Sequence, residues 1–157
     1  MIDICGSRKL GHPTEAVFTE GLNSEHWAHD SDHLLISPRD EQIRAGGLIE
    51  IGFRLGSISV NYDATVKNCI ANKHVAVEGE VPRFGDTSLS FDLAENEDGV
   101  TEVYFGFQGN FHKVSRLGRG AIETAVARSL RGKIDEYADT LTGKIDVALA
   151  QQNQALA

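Results

Sequence analysis

Five residues between Glu25 and Leu34 carry side chains that bind metals: His26, His29, Asp30, Asp32 and His33. Imidazole and carboxylate groups suit zinc or another transition metal when three or four converge and ordered partners stand behind them. His26 and His29 are three apart, which on a helix sets both on one side. The spacing matches no metal motif, and solvated residues at a helix–loop junction have the same composition, so no metal or other cofactor is expected. Glu78 and Glu80 are spaced to act as an acid/base pair. They have the parity opposite Val75, Val77 and Val81, which puts them in solvent unless the strand slips by one residue. Tyr62 and Tyr137 fall on inward positions instead. A buried tyrosine hydroxyl needs a partner, either a ligand oxygen or the protein's own polar groups.

A third feature is charge. Lys113, Arg116, Arg119, Arg128, Arg131 and Lys133 stand against Glu123 alone, a local +5 in a chain of net −8, which leaves −13 elsewhere. Cations near a helix N-terminus oppose its dipole. The excess reads first as attraction to the acidic remainder, and second as a contact for an anionic partner such as a lipid head group. Gly118-Arg119-Gly120 begins like a dinucleotide fingerprint, but Glu123 takes the third glycine position and no βαβ unit surrounds it.

The elements that must position these groups belong to an ordinary globular domain. The 157 residues are 41% hydrophobic and 24% charged, values that exclude wholesale disorder and suit one core. A single domain is expected over residues 1–150, with a flexible tail at 151–157. The acidic balance argues against nucleic-acid binding. No apolar run approaches the ~18 residues of a membrane span, and Met1-Ile2-Asp3-Ile4 lacks the basic and long apolar parts of a signal peptide. Cys5 and Cys69 form neither a metal spacing nor a disulfide framework. A cytoplasmic location is the expectation.

Alternation over Ile2–Leu10 predicts a strand. Pro13 and Glu15 open a short helix, and Asn23 or Ser24 caps a second that reaches Trp27. From about Leu34 to Phe111 the period is two. Ile49, Ile51, Phe53 and Leu55 share a face, as do Ile58, Val60, Tyr62, Ala64 and Val66. Val75, Val77 and Val81, then Leu89, Phe91 and Leu93, then Val103, Phe105, Phe107 and Phe111 repeat the pattern, with turns at Gly56-Ser57 and at 95–99. Ile122, Val126, Leu130, Ile134, Tyr137, Leu141 and Ile145 then mark one long helix, about Gly120–Ala150, weakened at Gly132 and Gly143.

A striped helix and a one-sided sheet must cover each other. The prediction is an α+β fold: a curved antiparallel sheet of six to seven strands wrapped around the C-terminal helix, with two short helices between the first two strands. Gly52, Gly79, Gly106 and Gly109 inside strand patterns mark the bends. A wrapped sheet that does not meet its helix everywhere leaves a cavity. Its walls would be Ile51, Phe53, Val60, Tyr62, Val77 and Phe91, with Phe105, Phe107, Val126, Leu130, Ile134 and Tyr137. The same residues serve equally as plain core.

The layout resembles the START-like helix-grip (SRPBCC) superfamily, which includes the birch pollen allergen, aromatase/cyclase domains and proteins similar to a subunit of carbon monoxide dehydrogenase. His12 to Phe18 resembles the family's opening of the first helix, and Glu25-His26-Trp27 the aromatic turn after it. Phe111 to Gly118 resembles the exit from the last strand into the long helix, whereas Ala28-His29-Asp30 departs from the commoner Trp- or Pro-rich turn. The resemblance is to the polyketide cyclase and dehydrogenase-subunit branch. It implies a binding or carrier protein for a small hydrophobic molecule (lipid, quinone, sterol or polyketide-like), working beside a membrane surface or a larger enzyme. The alternatives are a cyclase/dehydratase-type enzyme using the same cavity, or a partner-binding module filled by its own side chains. No catalytic residue matches the family.

Overall fold

The chain is described by a computed structural model covering residues 1–55, 57–96 and 98–156, the side chains of Leu55 and Leu156 excepted. Gly56 and Glu97, within two of the expected turns, lie outside the described residues, as does Ala157 of the expected tail. Strand β1 (Ile2–Leu10) leads into helices α1 (Thr14–Gly21) and α2 (Ser24–Trp27). Then come β2 (His29–Asp30), β3 (Leu34–Pro38), β4 (Leu48–Leu55), β5 (Ile58–Ile70), β6 (His74–Val81), β7 (Gly85–Glu95), β8 (Thr101–Asn110) and α3 (Arg116–Leu156). Asn23 caps α2, its Oδ1 accepting from the Glu25 amide at 3.1 Å.

The strands form one antiparallel sheet in the order β1-β8-β7-β6-β5-β4-β3-β2. It has eight strands where six to seven were expected. The additions are β2, two residues long, and β3, whose alternation of Leu34 and Ile36 is too short to stand out before Pro38. The curl follows from the contacts of α3, which touches β1 and β8 and also β4, although four strands separate β1 from β4 in the sheet. Only a sheet bent round the helix does both.

Gly79 shows how the bend is made. The Tyr62 ring crosses β6 directly over this glycine, where a Cβ would sit 2.7 Å from the ring, and its hydroxyl reaches Thr87 Oγ1 on β7 at 2.7 Å. A side chain at position 79 would displace the Tyr62 ring. A register shift between Val66 and Asn68 adds a local irregularity to β5.

The inward faces and the helix stripe build one core. Trp27 plugs the end closed by the short helices, its Nε1 donating to the Gly21 carbonyl at 2.6 Å and its ring 5.8 Å from that of Phe91. Helix α3 starts earlier and runs longer than the expected Gly120–Ala150, passing through Gly132 and Gly143 without a break. Residues 151–156, expected to fray, continue the helix, and Gln152 Nε2 donates to Glu20 Oε2 at 2.9 Å. No described helix is long and apolar enough to cross a membrane.

Candidate functional site

Along the inward face of β1 the sequence runs Ile2, Ile4, Gly6, Arg8, Leu10. Ile4 contributes a core side chain, Gly6 contributes none, and Arg8 bends across to α3. The guanidinium of Arg8 donates from Nη2 to Asp135 and from Nε to Asp139, both at 2.6 Å. These carboxylates are one helical turn apart, so one arginine ties the strand to two turns of helix. They raise the Arg8 pKa above its usual value, the Asp135 hydrogen bond contributing most. On the helix side, a Cβ at Gly132 would meet nothing within 4 Å. Two glycines and a staple beside them leave a cleft.

The cleft has a volume of about 480 Å³. Ile4, Phe105, Ile134 and Ala138 give it an apolar wall, and Arg131, Asp135, Asp3 and Cys5 supply the polar or exposed rim. Among the described residues, three other concavities of comparable volume lie elsewhere. One of about 530 Å³ sits on the outer face of β5–β8 among Asp63, Glu78, Glu80 and Asp86. One of about 600 Å³ lies between α2 and residues 38–42, lined largely by polar groups. One of about 520 Å³ runs along α3 beside His26 and Val147. Of these four, only the β1–α3 cleft opens between helix and sheet and reaches residues of the predicted interior.

The twelve predicted cavity residues are all buried, none more than 7% exposed. Phe105 and Ile134 border the cleft. Ile51, Phe53, Val60, Tyr62, Val77, Phe91, Phe107, Val126, Leu130 and Tyr137 lie within the packed core cluster. Phe91 and Phe105 meet edge to face at 5.7 Å, and Phe53 and Tyr62 at 6.3 Å. Sequence reasoning missed Ile4, Gly6, Arg131, Gly132, Asp135 and Ala138. The signal for Gly6 was present, a residue without a side chain at an inward position of a strand otherwise lined by Ile2, Ile4 and Leu10. Gly132 was read only as a weak point of the helix.

Both candidate tyrosines are satisfied by the protein. Tyr62 shares a hydrogen bond with Thr87, and Tyr137 donates to the Trp27 carbonyl at 2.8 Å. Burial pushes the Tyr62 phenol up to about 12 and raises that of Tyr137 as well. Neither supplies a phenolate near neutral pH.

The metal-type cluster is dispersed. Helix α2 ends at Trp27, so His29 is on β2 rather than on one helix face with His26. His26 Nε2 bonds Glu20 at 2.7 Å, and the His29 ring stands against Tyr137 at 5.4 Å. Asp30, Asp32 and His33 are exposed. No group of three potential ligands converges among the described residues. Glu78 and Glu80 lie on the outer face, where Glu80 pairs with Lys113.

No family profile matches the chain, and no curated sequence is similar to it. Solved structures are similar in fold. The protein TTHA0849 from Thermus thermophilus aligns with TM-score 0.68 at 11% identity, over 93% of this chain and 98% of that one. The Zhui aromatase/cyclase from Streptomyces sp. R1128 aligns with TM-score 0.63 at 9% identity, over 92% and 93%. Ara h 8.0201 aligns with TM-score 0.61 at 8% identity, over 91% and 96%. Element order, a sheet bent round α3 and these full-length alignments give one conclusion: the chain has the helix-grip fold of these solved structures.

Proposed function

We propose that the protein binds a small apolar molecule, of lipid, quinone, sterol or polyketide-like character, in the cleft between β1 and α3. The observation that carries this reading is the cleft's apolar wall of Ile4, Phe105, Ile134 and Ala138, beneath an opening rimmed by charge. Its volume of about 480 Å³ falls in the range of small-molecule sites, roughly 300–1,000 Å³. The work is desolvation. Burying about 200 Å² of apolar ligand surface contributes about 5 kcal/mol, from which the cost of ordering is subtracted. Arg131, exposed at the rim, would satisfy a polar end of the ligand.

The reading is one of binding and carriage rather than turnover, because the tyrosine hydroxyls are committed to Thr87 and to the Trp27 carbonyl. The two free cysteines fit a reducing compartment such as the cytoplasm. The test uses Gly132→Leu at a position lining the cleft where an added Cβ meets nothing within 4 Å. A neutral apolar probe, N-phenyl-1-naphthylamine, should bind the native protein with one site and lose at least tenfold in affinity in the variant, whose melting temperature does not fall. Equal probe affinity in both proteins would remove the cleft from consideration.

A further inference from the structure

The charge excess of residues 113–133 divides into two groups once the side chains are placed. Lys113 pairs with Glu80, Lys133 lies 3.7 Å from Glu136, and Arg119 donates to the His112 and Val114 carbonyls at 3.1 and 3.0 Å. These three are used within the molecule. Arg116, Arg128 and Arg131 are exposed and make no ion pair or side-chain hydrogen bond among the described residues. Glu123, the stretch's one carboxylate, is largely buried and pairs with the amine of Met1. The solvent side of α3 from Arg116 to Arg131 therefore presents cations with no acid among them. Leu117, Ala121, Thr124, Arg128 and Arg131 are spaced 4, 3, 4 and 3 along one face of the helix, with Arg116, Gly120 and Ala125 exposed beside them.

Leu117 decides what kind of partner fits. It is 99% exposed, the most exposed large apolar side chain described, and it sits beside Arg116 at the start of the helix. The first turn holds no acidic residue to balance the helix dipole. A fully exposed leucine next to Arg116, on a helix face that carries Arg128 and Arg131 further along, is the surface of an element that touches an anionic, partly apolar interface. We infer that the exposed face of α3 from Arg116 to Arg131 docks the protein on an anionic lipid bilayer, with Leu117 entering the head-group layer. The acidic remainder sets the orientation. The rest of the chain carries −13, so the opposite side is repelled, while screening over roughly 8 Å limits that repulsion once the basic face is in contact. Arg131 and Gly132 are also on the cleft's lining, so the docked face brings the cleft mouth toward the lipid. The docking itself stands independently of whether the cleft holds a ligand.

Sedimentation of the full chain with vesicles tests the inference. Vesicles containing about 30% phosphatidylserine should carry the protein down at about 50 mM salt and release it at about 500 mM, and neutral phosphatidylcholine vesicles should not bind it. The double variant Arg116→Gln/Arg128→Gln, which leaves the cleft residues intact, should partition about 25-fold more weakly, roughly fivefold per arginine, with an unchanged melting temperature. Leu117→Ser should weaken partition further without changing the salt dependence. Absence of binding to anionic vesicles, equal binding of the double variant, or equal binding to neutral lipid would each overturn it. So would self-association in lipid-free solution that the double variant abolishes, since the face would then belong to a second copy, or binding confined to RNA.

Discussion

The middle of the sheet and its β1 edge follow the same inward–outward rule and end in different states. Across β4–β7 the inward positions carry Phe53, Tyr62, Val77 and Phe91, and opposing side chains meet. At the β1 edge the inward position is Gly6, Gly132 borders the same space from the helix side, and a cleft of about 480 Å³ remains. Phe105 is the shared wall, packed against Phe91 on one side and bordering the cleft on the other. Parity decides which residues face the helix. Side-chain size across the gap decides whether the space is filled.

The comparison breaks first if the middle is not packed. Phe91→Ala removes a ring that is 1% exposed and held between Trp27 and Phe105, so it should cost about 3–5 kcal/mol of stability in urea unfolding. A loss below about 1 kcal/mol would mean that the interior around Phe91 is already hollow, and that a ligand space lies there instead of at the edge.

A smaller effect is expected at Tyr62. Replacing it with Phe deletes the hydrogen bond to Thr87, which keeps only a 3.4 Å contact to the Gly79 carbonyl, and should cost about 1–2 kcal/mol near neutral pH. The folded phenol has its pKa raised from 10.0 to about 12. Its contribution is complete below pH 10 and is lost as the pH rises through 12, because the unfolded chain gives up that proton first. Urea midpoints measured at neutral pH and near pH 11 should therefore converge for native protein and Tyr62→Phe. Midpoints that stay equally far apart would show that the tyrosine is not shielded from water.

At the edge, Arg8→Met should cost at most about 1 kcal/mol, because Asp135 and Asp139 are 67% and 65% exposed and solvent screens both ion pairs. The loss should disappear in high salt. A salt-independent loss of several kcal/mol would assign Arg8 to the core packing rather than to a surface staple.

Much of this contrast was legible in the amino-acid order, and the cleft was not. The Ile2–Leu10 strand, the Asn23 cap and the Val126–Ile145 stripe each follow from local periodicity or a single side-chain hydrogen bond, and each is present. Strand β3 escaped because five residues ending in Pro38 carry too few alternations to be distinguished from a loop. The cleft escaped for a tertiary reason. Gly6 and Gly132 come to border one cleft only after β1 has closed the sheet against α3, and no local pattern links a strand glycine to a helix glycine so distant in the chain. The basic face was visible as a sum of charges, but which cations were already engaged depended on the places of Glu80, Glu136 and two backbone carbonyls.

The smallest effect sharpens the comparison most, because it uses two glycines of one helix. A Cβ at Gly132 or at Gly143 meets nothing within 4 Å, and α3 is continuous through both. Gly→Ala should therefore raise stability by about the same amount at each, roughly 0.8–1 kcal/mol from helix propensity alone. Gly132 borders the cleft that also holds Gly6, whereas Gly143 lines the outer groove beside His26. Thermal melts should show two equal gains, while N-phenyl-1-naphthylamine titration should show weaker binding for Gly132→Ala alone. Unequal gains would reveal a contact made or broken at 132, so that the residue acts through packing. Equal gains with equal probe binding would mean that the empty space beside Gly132 does not receive the molecule, and that the helix presents two interchangeable outer positions.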